Sequence, residues 1–484
     1  MPFRFCCTGR LCSLVSLLIP LLASAQLTWN SDVVVFGTEQ EERQPQIVTI
    51  SPTLFRAFCV RDDAALSTRR SLNFGDGWAA FSDRSYQAAL QLLAVVADNN
   101  YSYALTAAPV QISRISHESE SWPDEQPITL DIGASTLVTA HMVTDADFAP
   151  DDAYLHLFAL LRANDGGVAL RYARSEDSGI SFGAWQTVDS LLSIEDSSAA
   201  ISSTVTWHGD AERLWVAVNV DRPGTTGEQI QLYSSDDLGE TWSLPLTPDS
   251  SSYAQFSPTL GARDTTIVLA YARRTSASLA RDVFLTYSPD NGLSWPEPLP
   301  LTDHVFDDMY PRVVVTGFTI GLTYTRAQVD QSYGTLYHRW AELHEPWNWS
   351  EAEFAVSPQS GVRLSDRVSV CPDRNFCAAV WTGLIGGTDG DIFFDSQWRG
   401  LATQPHGEPR SSASMRETSA GTFEFELPSG RPQALRVFDL LGRQVLTGDI
   451  GPGQSVWQVP HGLPTGSYWL TVAQSPPLRF TVVR

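Results

Sequence analysis

The chain has 484 residues and a formal net charge of −23 at pH 7. That acidity argues against nucleic acid or anionic membranes as partners. All 32 basic residues are arginine, since the sequence contains no lysine, which excludes lysine Schiff-base and Ser-Lys chemistry.

Residues 1–25 pair basic positions (Arg4, Arg10) with an apolar core and end on Ala23-Ser24-Ala25. This pattern predicts a cleaved secretory signal peptide, which would remove Cys6, Cys7 and Cys12. No later apolar run is long enough to span a membrane. Short alternating or apolar stretches then recur with no helical periodicity. The first, Asp32–Gly37, is expected to pair with the last unit of a ring.

Three segments spell S-x-D-x-G-x-x-[WF]. They are Ser175, Asp177, Gly179 and Phe182; Ser235, Asp237, Gly239 and Trp242; and Ser288, Asp290, Gly292 and Trp295. Their starts lie 60 (175 to 235) and 53 (235 to 288) residues apart, a period that marks a repeat architecture. Ser and Asp bond backbone amides in a tight turn, Gly supplies a positive φ, and the aromatic residue is expected to pin the turn to the next strand. Degenerate copies are expected at Ser67–Phe74, Ile115–Trp122, Trp340–Trp347 and near Gln397. Pro45, Pro127, Pro258 and Pro311 each read as the opening residue of an apolar strand.

These turns resemble the Asp-box, or BNR repeat, of sialidase-like β-propellers. The resemblance implies an all-β fold: a propeller over residues 26–402 of about seven four-stranded blades, with six as the alternative. A polar linker (403–415) leads to a tail, 416–484, that resembles the C-terminal sorting domain of type IX secretion cargo, a small Ig-like β-sandwich. The resemblance rests on Val437, Asp439, Gly442, Arg443, Val445, Leu463, Gly466, Tyr468 and Arg484. It implies the type IX machinery as a partner and a secreted or outer-membrane-surface location.

Cys371 and Cys377 flank a five-residue turn between strand-like runs and are expected to form a hairpin disulfide in an oxidising compartment. Cys59 is then left as a buried thiol. The sialidase resemblance further implies arginines gripping a substrate carboxylate, a Tyr nucleophile paired with Glu, and an Asp acid. The matching candidates are Arg43, Arg273 (or Arg274) and Arg326 for the carboxylate, Tyr324 for the nucleophile, and Asp62, beside Asp63, for the acid. The set lacks a clear Glu, and the loop bearing Asp62 is very short. Gly179–Gly183 matches G-x-S-x-G by letter only, because it sits in a turn rather than at a strand-to-helix elbow.

No cofactor is required by these motifs and no metal-ligand spacing is present among the nine histidines. The acidic runs Asp145–Asp152 and Gly386–Asp391 offer oxygen ligands of the kind Ca²⁺ takes. The expectation is a surface or secreted propeller that binds a glycan or a protein without catalysis, with a sialidase-like exo-glycosidase as the alternative.

Overall fold

The computed structural model describes most of residues 28–398 and 414–482. Residues 1–27 and 399–413 fall outside the description, as do some loop positions, among them 146–153, 222–226, 275–279 and 384–389. The expected signal peptide, Asp63, Gly442, Arg443, Arg484 and most of both acidic runs therefore lie outside it. The chain divides into two compact units, Met1–Gly400 and Leu401–Arg484.

The first unit is a β-propeller of seven antiparallel sheets. The innermost strands are Glu42–Ser51, Gln91–Ala97, Thr136–Thr144, Ile201–His208, Gln255–Arg263, Asp307–Val315 and Ser369–Pro372, which open blades one to seven. The expected closure occurs. Val33–Phe36 and Thr28–Trp29 both pair antiparallel with Asp391–Trp398, so the N-terminal segment completes the seventh blade. Arg69 secures it from the first blade by donating to the carbonyl oxygens of Val35, Trp78 and Ala79.

The three S-x-D-x-G turns are built alike. In each, the Ser Oγ accepts the glycine N–H at 2.7–2.9 Å and donates to the Asp carboxylate. The Asp Oδ1 that takes this bond also accepts the N–H of Ser181, Thr241 or Ser294, and the Oδ2 accepts that residue's hydroxyl. Two consecutive residues are left-handed, for example Leu238 (φ 57°) and Gly239 (φ 91°).

The structure corrects the register of two degenerate copies. The first blade's turn is Ser71–Trp78, not Ser67–Phe74. Ser71 accepts the N–H of Gly75 (φ 89°), and Asn73 stands in for Asp. In the sixth blade Trp349 is buried while Trp347 is 59% exposed, so Trp349 fills the aromatic place. Its indole donates to Pro346 O, just as Trp242 donates to Gly239 O. Near Gln397 side chains lie outside the description.

The aromatic residues also point the other way from expectation: they grip the preceding blade. Trp242 packs edge-on against Phe158 and Tyr172, Trp295 against Trp215, and Trp78 against Phe394. The turn glycines meet rings of the same neighbours, Gly75 on Phe394, Gly179 on Tyr103, Gly239 on Tyr172 and Gly292 on Trp215.

Prolines 45, 258 and 311 do not open strands either. They sit inside the innermost strands at register shifts, each preceded by a left-handed residue, Gln44 (φ 52°), Ser257 (φ 51°) or Tyr310 (φ 53°). A bulge leaves one residue out of the ladder, so the missing proline donor costs nothing there. Only Pro127 directly precedes a strand, Ile128–Thr129, and that one is outermost in its blade.

The expected Cys371–Cys377 disulfide is not formed. Cys371 is registered opposite Ala378, and Cys377 opposite Pro372. Alternation therefore sends the two thiols to opposite faces of the hairpin. Cys371 accepts a hydrogen bond from Thr49 Oγ1 (2.8 Å), while Cys377 faces Gly321 of the sixth blade. Burial pushes the Cys377 thiol well up, and that of Cys59 likewise.

In the second unit one sheet runs Ser414–Ser419, Thr422–Glu426, Val456–Gln458, and the other Gln444–Ile450, Gln433–Asp439, Gly466–Val472, Leu478–Val482. Phe423 of the first joins Leu435, Val437, Tyr468 and Leu470 of the second in one core. No helix among the described residues is long and apolar enough to cross a membrane.

The glycine contacts give a paired test. Gly239→Ala adds a methyl group into the Tyr172 ring at a left-handed φ, whereas Gly133 (φ 61°) has nothing within 4 Å of its Cβ position. Chemical denaturation is expected to show a loss of about 3 kcal/mol for Gly239→Ala, from overpacking plus backbone strain, against about 1 kcal/mol for Gly133→Ala.

Candidate functional site

The innermost strands start at one end of the ring, where the second strand of each blade ends and the third begins. The S-x-D-x-G turns close the opposite end. All five residues proposed for carboxylate binding and catalysis lie at or near the first end, yet the structure does not bring them to one point.

Arg273 is committed to Asp249 (2.7 Å), and its guanidinium lies 3.5 Å from the Phe284 ring centroid. Burial alone would raise the Asp249 carboxyl. Hydrogen bonds from Tyr271, the Ser251 amide and Arg273 outweigh it and hold that group below its usual range. Arg326 grips Asp308 with two parallel bonds (2.7 and 2.8 Å) and stands over the Tyr337 ring. Asp308 is fully buried. Both arginines thus serve their own blades. Arg274 is exposed over Phe256.

Tyr324 is fully buried in the cluster of Val313, Ile320 and Leu322, stacked 5.9 Å from Tyr337. It shares a strand face with Arg326 as alternation predicts, but that face is packed core. Asp62 occupies the left-handed position (φ 48°) of an exposed turn, with its amide bonded to Glu41 O. Arg43, half-buried near the start of its strand, helps lower the Glu41 carboxyl.

A different group lies on or beside the innermost strands. Arg312 follows the Tyr310-Pro311 bulge on the sixth blade, and its guanidinium donates to Val368 O and Pro311 O (3.1 Å each). Arg367, at the entry to the seventh blade, lies over the Tyr310 ring (5.8 Å). Among the described residues neither guanidinium meets a carboxylate within ion-pair distance. Burial, and the positive charge of Arg367, push Arg312 down to about 10. Burial lowers Arg367 as well.

His141 belongs to the third blade, roughly opposite the sixth. Its ring bonds Ser203 Oγ (2.8 Å), and burial, together with Arg312, pushes it down to about 4. Arg312 and His141 both lie on innermost strands, the strands that border the axis, in blades on opposite sides of the ring. Each is deeply surrounded by protein yet keeps some accessible surface, as expected for the wall of a narrow channel. In the sequence the one sign of this group is Pro311, which marks the bulge but not what it turns inward.

Two arginines without acidic partners, a neutral imidazole, Tyr310 and Ser203 form a lining suited to an anion with hydroxyl groups. They lack a paired nucleophile and acid. A separate trio of metal-ligating type, Asp145, His156 and Glu212, sits towards the other end, between the third and fourth blades.

No family model matches the chain, and no curated protein does. Similar solved structures include a protein of unknown function from Dyadobacter fermentans (14% identity, 77% of this chain and 98% of that one, TM-score 0.45). Others are the NanB sialidase of Streptococcus pneumoniae (11%, 76% and 70%, 0.38) and a polysaccharide lyase of family PL25, an ulvan lyase (12%, 75% and 95%, 0.47). At identities this low, no substrate passes from these proteins to this chain.

His141 supplies a pH test. Its folded pKa of about 4 lies below the unfolded value of about 6.5. Its contribution is therefore fully present above pH 6.5 and is lost as pH falls towards 4, where only the unfolded chain takes up the proton. Unfolding curves across that window should lose on the order of 2 kcal/mol from this group, and His141→Gln should flatten the profile by that amount.

Proposed function

We propose that this chain is a secreted or cell-surface Asp-box β-propeller whose axial channel binds an anionic glycan without cleaving it. The observation that carries this reading is the Arg312–Arg367 pair, two guanidinium groups held towards the axis with no carboxylate partner among the described residues. Like charges confined in a poorly solvated channel are costly unless an anion joins them. A planar arginine fork matches a carboxylate bidentately, so a uronate or sialate residue suits the site. Against hydrolysis stand the burial of Tyr324 and the commitment of Arg273 and Arg326 to Asp249 and Asp308.

Calorimetry with uronate- and sialate-bearing oligosaccharides should show binding that weakens tenfold or more in the double variant Arg312→Gln/Arg367→Gln. It should also weaken with added salt, and neutral analogues should not bind. Equal binding of neutral sugars, or an unaffected double variant, rules the site out. Turnover of a fluorogenic sialoside by the mature chain would replace this reading with the sialidase-like one.

For export, we assign residues 416–484 to type IX sorting. The separate all-β second unit supports this, with its strands at the positions expected from the tail's sequence. Deleting 416–484 in a host with that machinery should abolish surface delivery and leave the propeller in the periplasm. Undiminished export of the truncated chain would dismiss the assignment.

A further inference from the structure

The trio between the third and fourth blades is independent of the channel. Asp145 directly follows the innermost strand of the third blade, while His156 lies at the start of the next strand and Glu212 at the start of the second strand of the fourth blade. His156 and Asp145 are 0% and 1% exposed, and the Glu212 side chain 7%. One donor atom from each lies within 4.8 Å of the other two.

The hydrogen bonds around His156 fix what its ring can offer. The Tyr172 hydroxyl donates its one proton to Leu238 O (2.9 Å), so its oxygen accepts from His156 Nδ1–H (2.8 Å). In the neutral ring this leaves Nε2 with a lone pair. Nε2 points at Glu212 Oε1, 3.2 Å away, and neither atom has a hydrogen-bond partner. Asp145 Oδ1 is used by the Tyr154 amide (2.6 Å), which leaves its second oxygen for the cluster. Two carboxylates and a lone pair thus converge in a buried space. That arrangement is repulsive unless a proton or a metal cation stands between them, and burial beside Glu212 already pushes the Asp145 carboxyl up to about 7.

We propose that Asp145, His156 and Glu212 bind one divalent transition-metal ion of the zinc class, which staples the third blade to the fourth. Two carboxylates and a neutral imidazole balance a 2+ charge. An imidazole donor favours zinc-like ions over Ca²⁺. The spread of donor atoms is one that a single ion at roughly 2.0–2.4 Å from each can close with small side-chain adjustment. The Tyr172 bond to Nδ1 orients the ring from behind, as outer partners of metal-bound histidines do. Because the ligands come from two blades, the ion acts on stability rather than on chemistry at the axis.

The mature chain, purified without metal affinity and stripped with chelator, should take up one Zn²⁺ per molecule in titration calorimetry and melt several degrees higher with it. His156→Gln and Glu212→Gln should each weaken Zn²⁺ binding at least tenfold and lose the thermal shift, while Glu176→Gln, on the neighbouring turn, should keep both. If one ligand variant does not fold, the other and the wild-type stoichiometry decide. The proposal is overturned if the stripped chain takes up no Zn²⁺ and melts unchanged, if both ligand variants bind like wild type, or if Ca²⁺ binds in preference to Zn²⁺.

Discussion

Each blade carrying an S-x-D-x-G turn is fastened to its predecessor through a glycine with no room for a side chain. Gly75, Gly179, Gly239 and Gly292 all have positive φ, and each presses its α-carbon onto an aromatic ring of the blade before it. The Ser and Asp or Asn bonds hold the backbone in a shape that only glycine adopts cheaply. That shape in turn lets one blade's backbone meet the previous blade's ring face. The turn is therefore an inter-blade joint as much as a hairpin end. The ring, its channel and the seam holding Asp145, His156 and Glu212 all rest on such joints.

Arginine completes the joints. Arg114 donates to Ser178 O, Arg174 to Leu238 O and Arg213 to Asn291 O, in each case across to the residue just before the turn glycine of the next blade. The planar fork reaches a carbonyl with one nitrogen and keeps others for a second partner. Arg213 does so with Asp236, and Arg174 with Glu176. A lysine ammonium lacks that fixed fork. A chain whose basic residues are all arginine can repeat this clamp from blade to blade.

The legible part of the sequence was its local chemistry. Three turns, the strand content and the closing N-terminal strand follow from spacing and short-range pattern, because a turn's hydrogen bonds are made within a few residues of sequence. The misplacements have one physical source, which is that partner identity is non-local. A letter match selects Ser67 and misses Ser71 because Asn73 is not Asp, although its Oδ1 accepts the same amide bond. Trp347 outranked Trp349 because spacing cannot tell which indole reaches the core. Cys371 and Cys377 looked bridgeable because strand alternation across the turn depends on a register that spacing does not specify. The bulge prolines read as strand starts because a register shift is visible only once the neighbouring strand is placed.

The same non-locality explains why the candidate site moved. Arg273 and Arg326 drew attention because they end strands, but a strand end in a propeller is also where the next linker passes. Asp249, in such a linker, and Asp308, at the start of an innermost strand, meet them there. Arg312 lies within a strand, and Arg367 just before one, where a sequence reading assigns packing. The Tyr310-Pro311 bulge breaks the two-residue alternation on which that assignment depends, since an extra residue re-aims the side chain that follows. In a closed ring of strands, the face nearest the axis receives no covering layer, so a re-aimed charge there finds no acid from a neighbouring blade. A polar axial channel thus arises from a backbone irregularity rather than from a motif, and arginines without acidic partners mark it better than any catalytic signature does.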